Sequence, residues 1–243
     1  MQVDAREIVK TVSEMARPFS DTLSDAWNAL IGDRVAAYRL RNAAKLQPKV
    51  MADLAKLGKV MNPAKIPERY AVAWFEEATK QDEPEIQALF ARLLANAAAG
   101  DEDAGDRRHL EIVSRFTPLD AKVMDIFYNG DLAKGHVSQT GELVEVVIDE
   151  WRLYQFLKED VGNKAWQSVE HLLALGVVEK RTYISKDSVT RLLSDLQTDT
   201  SSGLIYPSFG SGSELEVSAE IVSTFTGLSL MRALSDPEKP KTV

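Results

Sequence analysis

The chain has 243 residues, of which 44% are hydrophobic and 27% are charged, and its formal net charge is −8. This composition is typical of a globular protein and excludes a chain that is disordered throughout. The absence of cysteine excludes disulfides, thiolate catalysis and cysteine-ligated zinc. No apolar run approaches the ~20 residues that cross a bilayer, and the N-terminus lacks a secretory signal pattern. We therefore expect a cytoplasmic protein that does not cross a membrane.

The N-terminal part of the sequence predicts one helix after another. A capping box at Asp4 and Glu7 begins a first short helix, and a second helix ends near Gly32. A long helical stretch follows from Asp33. Pro48 lies inside that stretch and predicts a kink or a break, because proline lacks the backbone N–H that an α-helix uses.

The clearest helix is EPEIQALFARLLANAAAG, residues 83–100, which follows a predicted helix over residues 68–79. Asp82 is predicted to cap it, Pro84 suits the first helical position, and Gly100 ends it. Its apolar side chains follow the spacing of a single buried stripe. These residues are Ile86, Leu89, Phe90, Leu93, Leu94 and Ala97.

The pattern changes at Thr117, which is predicted to cap a helix that starts with Pro118. Further helices are predicted over residues 148–158 and from Asn163 to Gly176. The run VVEKR follows at once as a strand, ELEVS alternates like a second strand, and a last helix covers residues 223–234. Three helices followed by strand, loop and strand are the order of a winged helix.

The predicted fold is therefore mainly α, with an N-terminal multi-helix domain followed by a winged-helix-like α+β domain. We place the all-helical domain at residues 1–116, the winged-helix-like domain at 117–235 and a frayed tail at 236–243. The two domains differ in charge, at −1 for residues 1–116 and −7 for residues 117–243. A polyanion would therefore meet the N-terminal part, where residues 34–69 carry nine bases and two acids.

One candidate site is a basic stripe on the long helix. Its members recur at intervals that keep them on one side of the helix, over roughly 37 Å. Such a row can bind nucleic acid, anionic lipid or an acidic partner. The alternative is the solvated face of an amphipathic helix. The members of the basic stripe are Arg34, Arg41, Lys45, Lys49, Lys56 and Lys59.

A second candidate is the helix over residues 163–175, which corresponds to the recognition helix of a DNA-reading winged helix. The side chains it offers to a major groove are Asn163, Lys164, Gln167 and His171. Glu170 and the acidic surroundings oppose this interpretation, because DNA readers add flanking bases for phosphate contacts. The alternative is a winged helix that serves packing or protein–protein contact.

Patterns for catalysis are missing from the sequence. His109, His136 and His171 lack metal-ligand spacing. The acids of residues 101–106 lack the complete calcium-loop pattern and predict a solvated loop, and SFGSGSE lacks the residues of a phosphate loop. We therefore expect a protein that is not an enzyme, without catalytic residues, cofactor or bound metal.

Several segments resemble the abortive infection alpha family of bacterial proteins. The resemblance runs through ALIGDRVAAYRLRNAAKL and AWFEEATKQDEPEIQALFARLLANA, and continues in TPLDAKVMDIF, SVEHLLALGVVEK and STFTGLSLM. The family usually shows Trp where Phe90 stands in this chain. The resemblance implies a bacterial protein linked to phage defence, with winged-helix-like C-terminal helices. It assigns no catalytic residues.

Two functions follow as expectations. The first is a defence protein of the abortive-infection type that acts by binding a protein partner and by self-association. The alternative is a nucleic-acid-binding winged-helix regulator that uses the basic stripe or the helix over residues 163–175.

Overall fold

The computed structural model describes residues 34–59, 66–129, 132, 134–138, 143–186, 188–190 and 217–235. The two helices predicted before Gly32, the loop predicted over residues 198–213 and the tail from residue 236 lie outside these residues.

The described part of the chain is mostly helical and includes one small antiparallel sheet. The N-terminal helices are α1 Arg34–Lys56, α2 Glu68–Ala78, α3 Pro84–Ala99 and α4 Arg107–Val113. The later elements are α5 Pro118–Asn129, β1 Lys134–Val137, β2 Leu143–Asp149, α6 Glu150–Asp160, α7 Ala165–Ala174, β3 Val178–Ile184, β4 Val217–Ser223 and α8 Phe225–Ala233.

Helix α1 continues through Pro48 without interruption, so the break considered at this residue does not occur. The Pro48 side chain is exposed, and Leu46 and Val50 on either side of it are buried. This apolar contact with α3 offsets the backbone hydrogen bond that proline cannot donate. The helix ends in a left-handed turn at Gly58, whose N–H donates to the carbonyl of Ala55.

Helix α3 is the central element of the fold and packs against α1, α2, α4, α5 and α8. Ile86, Phe90 and Leu94 have no exposed surface, which confirms the buried stripe predicted for this helix. Gly100 adopts the left-handed conformation at its end, with φ of 96°. The N-cap residue is Glu83, so the assignment of that role to Asp82 is wrong.

The four strands form one antiparallel sheet in the order β1-β2-β4-β3. Strand β3 lies where VVEKR predicts a strand, and β4 begins three residues after the start of ELEVS. The sequence did not predict β1 or β2. Helix α6 begins at Glu150 rather than at Ile148, because Ile148 belongs to β2 and Asp149 caps the helix by accepting from the N–H of Arg152.

One buried cluster of apolar side chains extends through both parts of the chain. Helix α8 connects the two parts, because it packs against β2, β4 and also α3. The core is therefore continuous across residue 116, where the sequence suggests a domain boundary.

Candidate functional site

The members of the predicted basic stripe differ in their exposure and in their position relative to the end of α1. Arg41, Lys45 and Lys56 are exposed on α1. Lys56 lies 3.7 Å from the Asp53 carboxylate of the same helix, and Lys59 is exposed but follows the helix end. Arg34 begins α1, and its side chain is outside the described set. The stripe is therefore shorter than the sequence indicates, and polyanion binding stays a prediction.

Lys49 differs from the other members of the stripe because its ammonium group turns towards α3. Its Nζ donates to the backbone carbonyl of Pro84 at 2.9 Å and to Oε1 of Gln87 at 3.2 Å. Burial lowers the pKa of Lys49, and the negative charge of Glu85 opposes this shift. Lys49 thus joins α1 to the start of α3.

The neighbouring part of α1 caps the C-terminal end of α2. Arg39 donates to the carbonyl of Glu76 and to the hydroxyl of Thr79, both at 3.0 Å, and Asn42 donates to the carbonyl of Thr79 at 3.1 Å. Tyr38 donates to the carbonyl of Lys80 at 3.3 Å. The final carbonyls of a helix have no partners within that helix. These polar residues of α1 therefore stabilise the joint between α1 and α2.

Polar side chains on α3 bind the C-terminal end of α8. The Asn96 side chain is buried and donates from Nδ2 to the carbonyl of Ala233 at 2.7 Å, and Arg92 donates to the carbonyl of Leu234 at 3.0 Å. Both acceptors lie at the C-terminal end of α8. The polar residues of α3 therefore position α8, and its apolar residues form part of the core.

The predicted recognition helix corresponds to α7, but its four candidate side chains are not equivalent. Asn163, Lys164 and Gln167 are exposed. His171 instead faces α5, where its Nδ1 lies 2.9 Å from a carboxylate oxygen of Asp120. The sequence favours Asn163 as the N-cap of this helix, but the N-cap residue of α7 is Lys164.

Asp120 is the most deeply buried acid in the described part of the chain, with 1% of its surface exposed. Its Oδ2 accepts hydrogen bonds from the N–H and the hydroxyl of Thr117, and Asp120 N–H donates to the Thr117 hydroxyl. This reciprocal arrangement is a capping box, and it confirms the prediction that Thr117 caps the helix. His171 extends it to α7, so the interaction fixes the angle between two helices.

The acidic loop is packed against the protein rather than simply solvated. Asp103 accepts from the hydroxyl of Ser229 on α8 at 2.8 Å, and Asp106 caps α4 by accepting from the N–H of Arg108. His109 is buried and lies 2.7 Å from the carbonyl of Asp103. Burial lowers the pKa of His109. Among the described residues, no group of three or more acids or histidines could hold a metal ion.

A cluster of aromatic side chains lies on α6 and α7. Trp151 is 66% exposed and stacks on Tyr154 with a ring separation of 5.9 Å. Tyr154 also contacts Trp166 edge to face at 5.7 Å. Aromatic side chains placed three residues apart on one helix are usually assigned to a core, so periodicity alone would have suggested burial.

Beside this cluster, the sheet carries two groups of paired charges. Arg181 on β3 binds the carboxylates of Glu179 and Glu145. Lys180 points to the other face of the strand and donates to Glu150 at 2.7 Å. Every one of these acids lies within the same sheet or at the start of α6.

These observations define a mostly helical protein with a small antiparallel sheet, whose candidate contact surfaces are an exposed face of α1 and the aromatic and strand surfaces of the C-terminal part. Residues 39–211 match the model of the abortive infection alpha family. The match covers more than half of the chain, so the protein belongs to this family. Among curated proteins and solved structures, nothing matches the chain. None of the described helices is long and apolar enough to cross a membrane.

Proposed function

We propose that the protein is a cytoplasmic phage-defence protein that acts by binding and self-association rather than by catalysis. Its family associates it with abortive infection. The observation that carries the binding role is the exposed pair of Trp151 and Tyr154, whose stacked rings form one patch, since contiguous exposed apolar surface marks interaction sites. Most of the large exposed apolar side chains also lie after residue 116: Val137, Val144, Trp151, Tyr154, Tyr183, Ile184, Val189, Val217 and Phe225.

Within this proposal, the C-terminal part is a winged-helix-like module that presents the contact surface. The order α5, α6, α7, β3, β4 supports this assignment, as does the placement of β4 between β2 and β3. The N-terminal helices act as a scaffold. Their polar residues, such as Arg39, Asn42 and Asn96, cap neighbouring helices.

Phage challenge tests the defence role. Deletion of the gene from its native host, with neighbouring genes intact, is expected to raise the plating efficiency of susceptible phages. The intact gene in trans should restore protection. Unchanged susceptibility across a broad phage panel would contradict the defence role.

A point variant tests the binding surface in the same assay. Trp151→Ala is expected to lose at least about tenfold of the protection, yet to change the free energy of unfolding by less than about 1 kcal/mol, because the side chain is mostly exposed. Met51→Ala is the matched control, since Met51 is 53% exposed but lies on α1, outside the proposed contact surface. Full protection by Trp151→Ala would count against this surface.

Nucleic-acid binding by α1 is the second candidate function, and the exposure of Arg41 and Lys45 favours it. It predicts that the protein binds single-stranded DNA with an affinity that falls steeply with salt. The double change Arg41→Glu with Lys45→Glu should weaken this binding about 10-fold or more at low salt.

Fluorescence anisotropy with a labelled oligonucleotide measures the effect. A control with equal charge change is Lys122→Glu with Lys158→Glu, two exposed residues on α5 and α6. An equal loss of affinity in both double variants, or binding that does not respond to salt, would exclude a specific role of α1.

A further inference from the structure

The two edges of the sheet differ in their capacity to accept another strand. Strand β1 has four residues, and its register with β2 shifts between His136 and Val137. Strand β3 has seven residues, and all seven pair with β4 in a continuous register from Val178 to Ile184. Short and irregular edges resist pairing, whereas long regular edges accept it. In the described part of the chain, β3 is therefore the edge open to a further strand.

The charged side chains of β3 do not prevent another strand from pairing with this edge. Lysine and arginine on an edge strand normally oppose pairing with another chain. Here Lys180 is bound to Glu150, and Arg181 is bound to Glu145 and Glu179. Their positive charges are largely balanced within one molecule, so a second strand can approach them at a lower electrostatic cost.

The distal end of the same strand carries exposed apolar surface. Tyr183 is 45% exposed and Ile184 is 56% exposed. Val217, which pairs with Ile184 in the register, is 57% exposed. A second chain beside Tyr183 and Ile184 would cover part of their exposed apolar area, and this burial would favour the addition.

We propose that a second copy of the chain pairs with β3 antiparallel to it, about a two-fold axis at Lys180. This inference rests on the self-association in the proposed function and names its surface. Residues 178–182, VEKRT, are complementary to themselves in this register. Glu179 of each copy lies opposite Arg181 of the other, and Val178 lies opposite Thr182.

Charge and side-chain pairing select this register over its neighbours. Opposite charges that face each other across an antiparallel pair stabilise it, and like charges destabilise it. A shift of the axis to Arg181 places two arginines opposite each other, and a shift to Glu179 places two glutamates opposite each other. At the proposed axis the two Lys180 side chains meet, and each is already bound to Glu150 of its own copy.

The pairing makes a prediction that charge exchange can test. Glu179→Lys places two like-charged pairs across the axis, and Arg181→Glu does the same with acids. Each variant alone is expected to weaken the wild-type dimer at least about 10-fold. A mixture of the two variants restores opposite charges at both positions, so a heterodimer should form. A role of Glu179 and Arg181 confined to one molecule cannot produce this recovery.

Sedimentation velocity of the full chain at about 50 µM reads out the result, with circular dichroism to verify that each variant is folded. Wild type should sediment as a dimer, each variant as a monomer and the mixture as a dimer. A monomeric wild type, or a mixture that stays monomeric, would overturn the proposal. If the wild type is monomeric and still protects against phage, the dimer is contradicted and the defence role is supported. If the wild type is a dimer but does not protect, the dimer is supported and the defence role is contradicted.

Cysteine cross-linking tests the register independently, since the chain has no cysteine of its own. Lys180→Cys brings two thiols directly opposite each other, at the ~5 Å Cα separation that a disulfide requires. Thr182→Cys is the control on the same strand face, because its two copies would lie roughly 13 Å apart. Rapid oxidation of the Lys180→Cys variant alone supports the proposal. Equal rates in both variants, or no cross-link at position 180, would overturn it.

Discussion

Gly227→Ala is expected to lower the free energy of unfolding by about 3 kcal/mol or more. Gly227 lies in the first turn of α8. A Cβ atom at this position would stand 1.9 Å from the backbone carbonyl oxygen of Val177. The obstacle is main chain rather than a flexible side chain, so the clash cannot be relieved by a rotamer change.

The surroundings of Gly227 make any backbone shift costly. The Thr224 hydroxyl accepts from the N–H of Gly227 at 3.0 Å and donates to the carbonyl of Gly176 at 2.6 Å. The N–H of Thr224 donates to the carbonyl of Val177. The start of α8 and the turn that precedes β3 are therefore joined by several hydrogen bonds, and moving one strains the others.

Chemical denaturation of the purified variant measures this effect. Gly105→Ala is the matched control, because its added Cβ would meet backbone atoms at the ordinary separations of 3.5 and 3.8 Å. We expect this control to change stability by less than about 0.5 kcal/mol. If Gly227→Ala were as mild as Gly105→Ala, the close packing of α8 against Val177 would be refuted.

The sequence predicts α3 well because its local and global requirements agree. Pro84 at the start, Gly100 at the end and a single apolar stripe all indicate the helix that the structure contains. Lys49 and Asn96 show what local sequence patterns cannot predict. Their hydrogen bonds join residues 35 and 137 positions apart, and no local pattern encodes such a partner.

Strands β1 and β2 were missed for a related reason. The run LVEVVID contains few polar residues to mark its alternation, and its last residues also fit the start of a helix. Pairing with β4 decides the outcome, as Val147 lies opposite Val222 and Ile148 opposite Ile221. Strand preference depends strongly on such neighbours.

Candidate surface residues were harder to predict than the core. His171 fits the exposed face of a recognition helix by spacing, but it pairs with a buried acid on α5 and is only partly exposed. Trp151 shows the opposite outcome, since its apolar character indicates burial and the structure exposes it. Periodicity identifies which face a residue occupies, but the packing of neighbouring helices decides whether that face is covered.

Asn96→Leu is the second substitution expected to have a large effect, at about 2–3 kcal/mol of unfolding free energy. Asn96 is 5% exposed, and its Nδ2 donates to the carbonyl of Ala233 at 2.7 Å. Leucine has a similar volume but lacks a donor. The variant therefore loses this bond and the longer one from Nδ2 to the carbonyl of Ser235 at 3.5 Å. It leaves the buried carbonyl of Ala233 without its Asn96 donor, which is costlier than the loss of an exposed bond.

The damage should concentrate at α8, which gives this prediction a local readout. Hydrogen exchange of the amide of Leu234, which donates to the carbonyl of Leu230, should accelerate more than exchange within α1. Asn163→Leu makes the same chemical change at an exposed position and should alter stability by less than about 0.5 kcal/mol. A uniform increase in exchange, or equal stabilities of the two variants, would contradict the assignment. Because α8 also packs on β2 and β4, local loosening there would transmit from the helical scaffold to the sheet that carries the proposed contact surface.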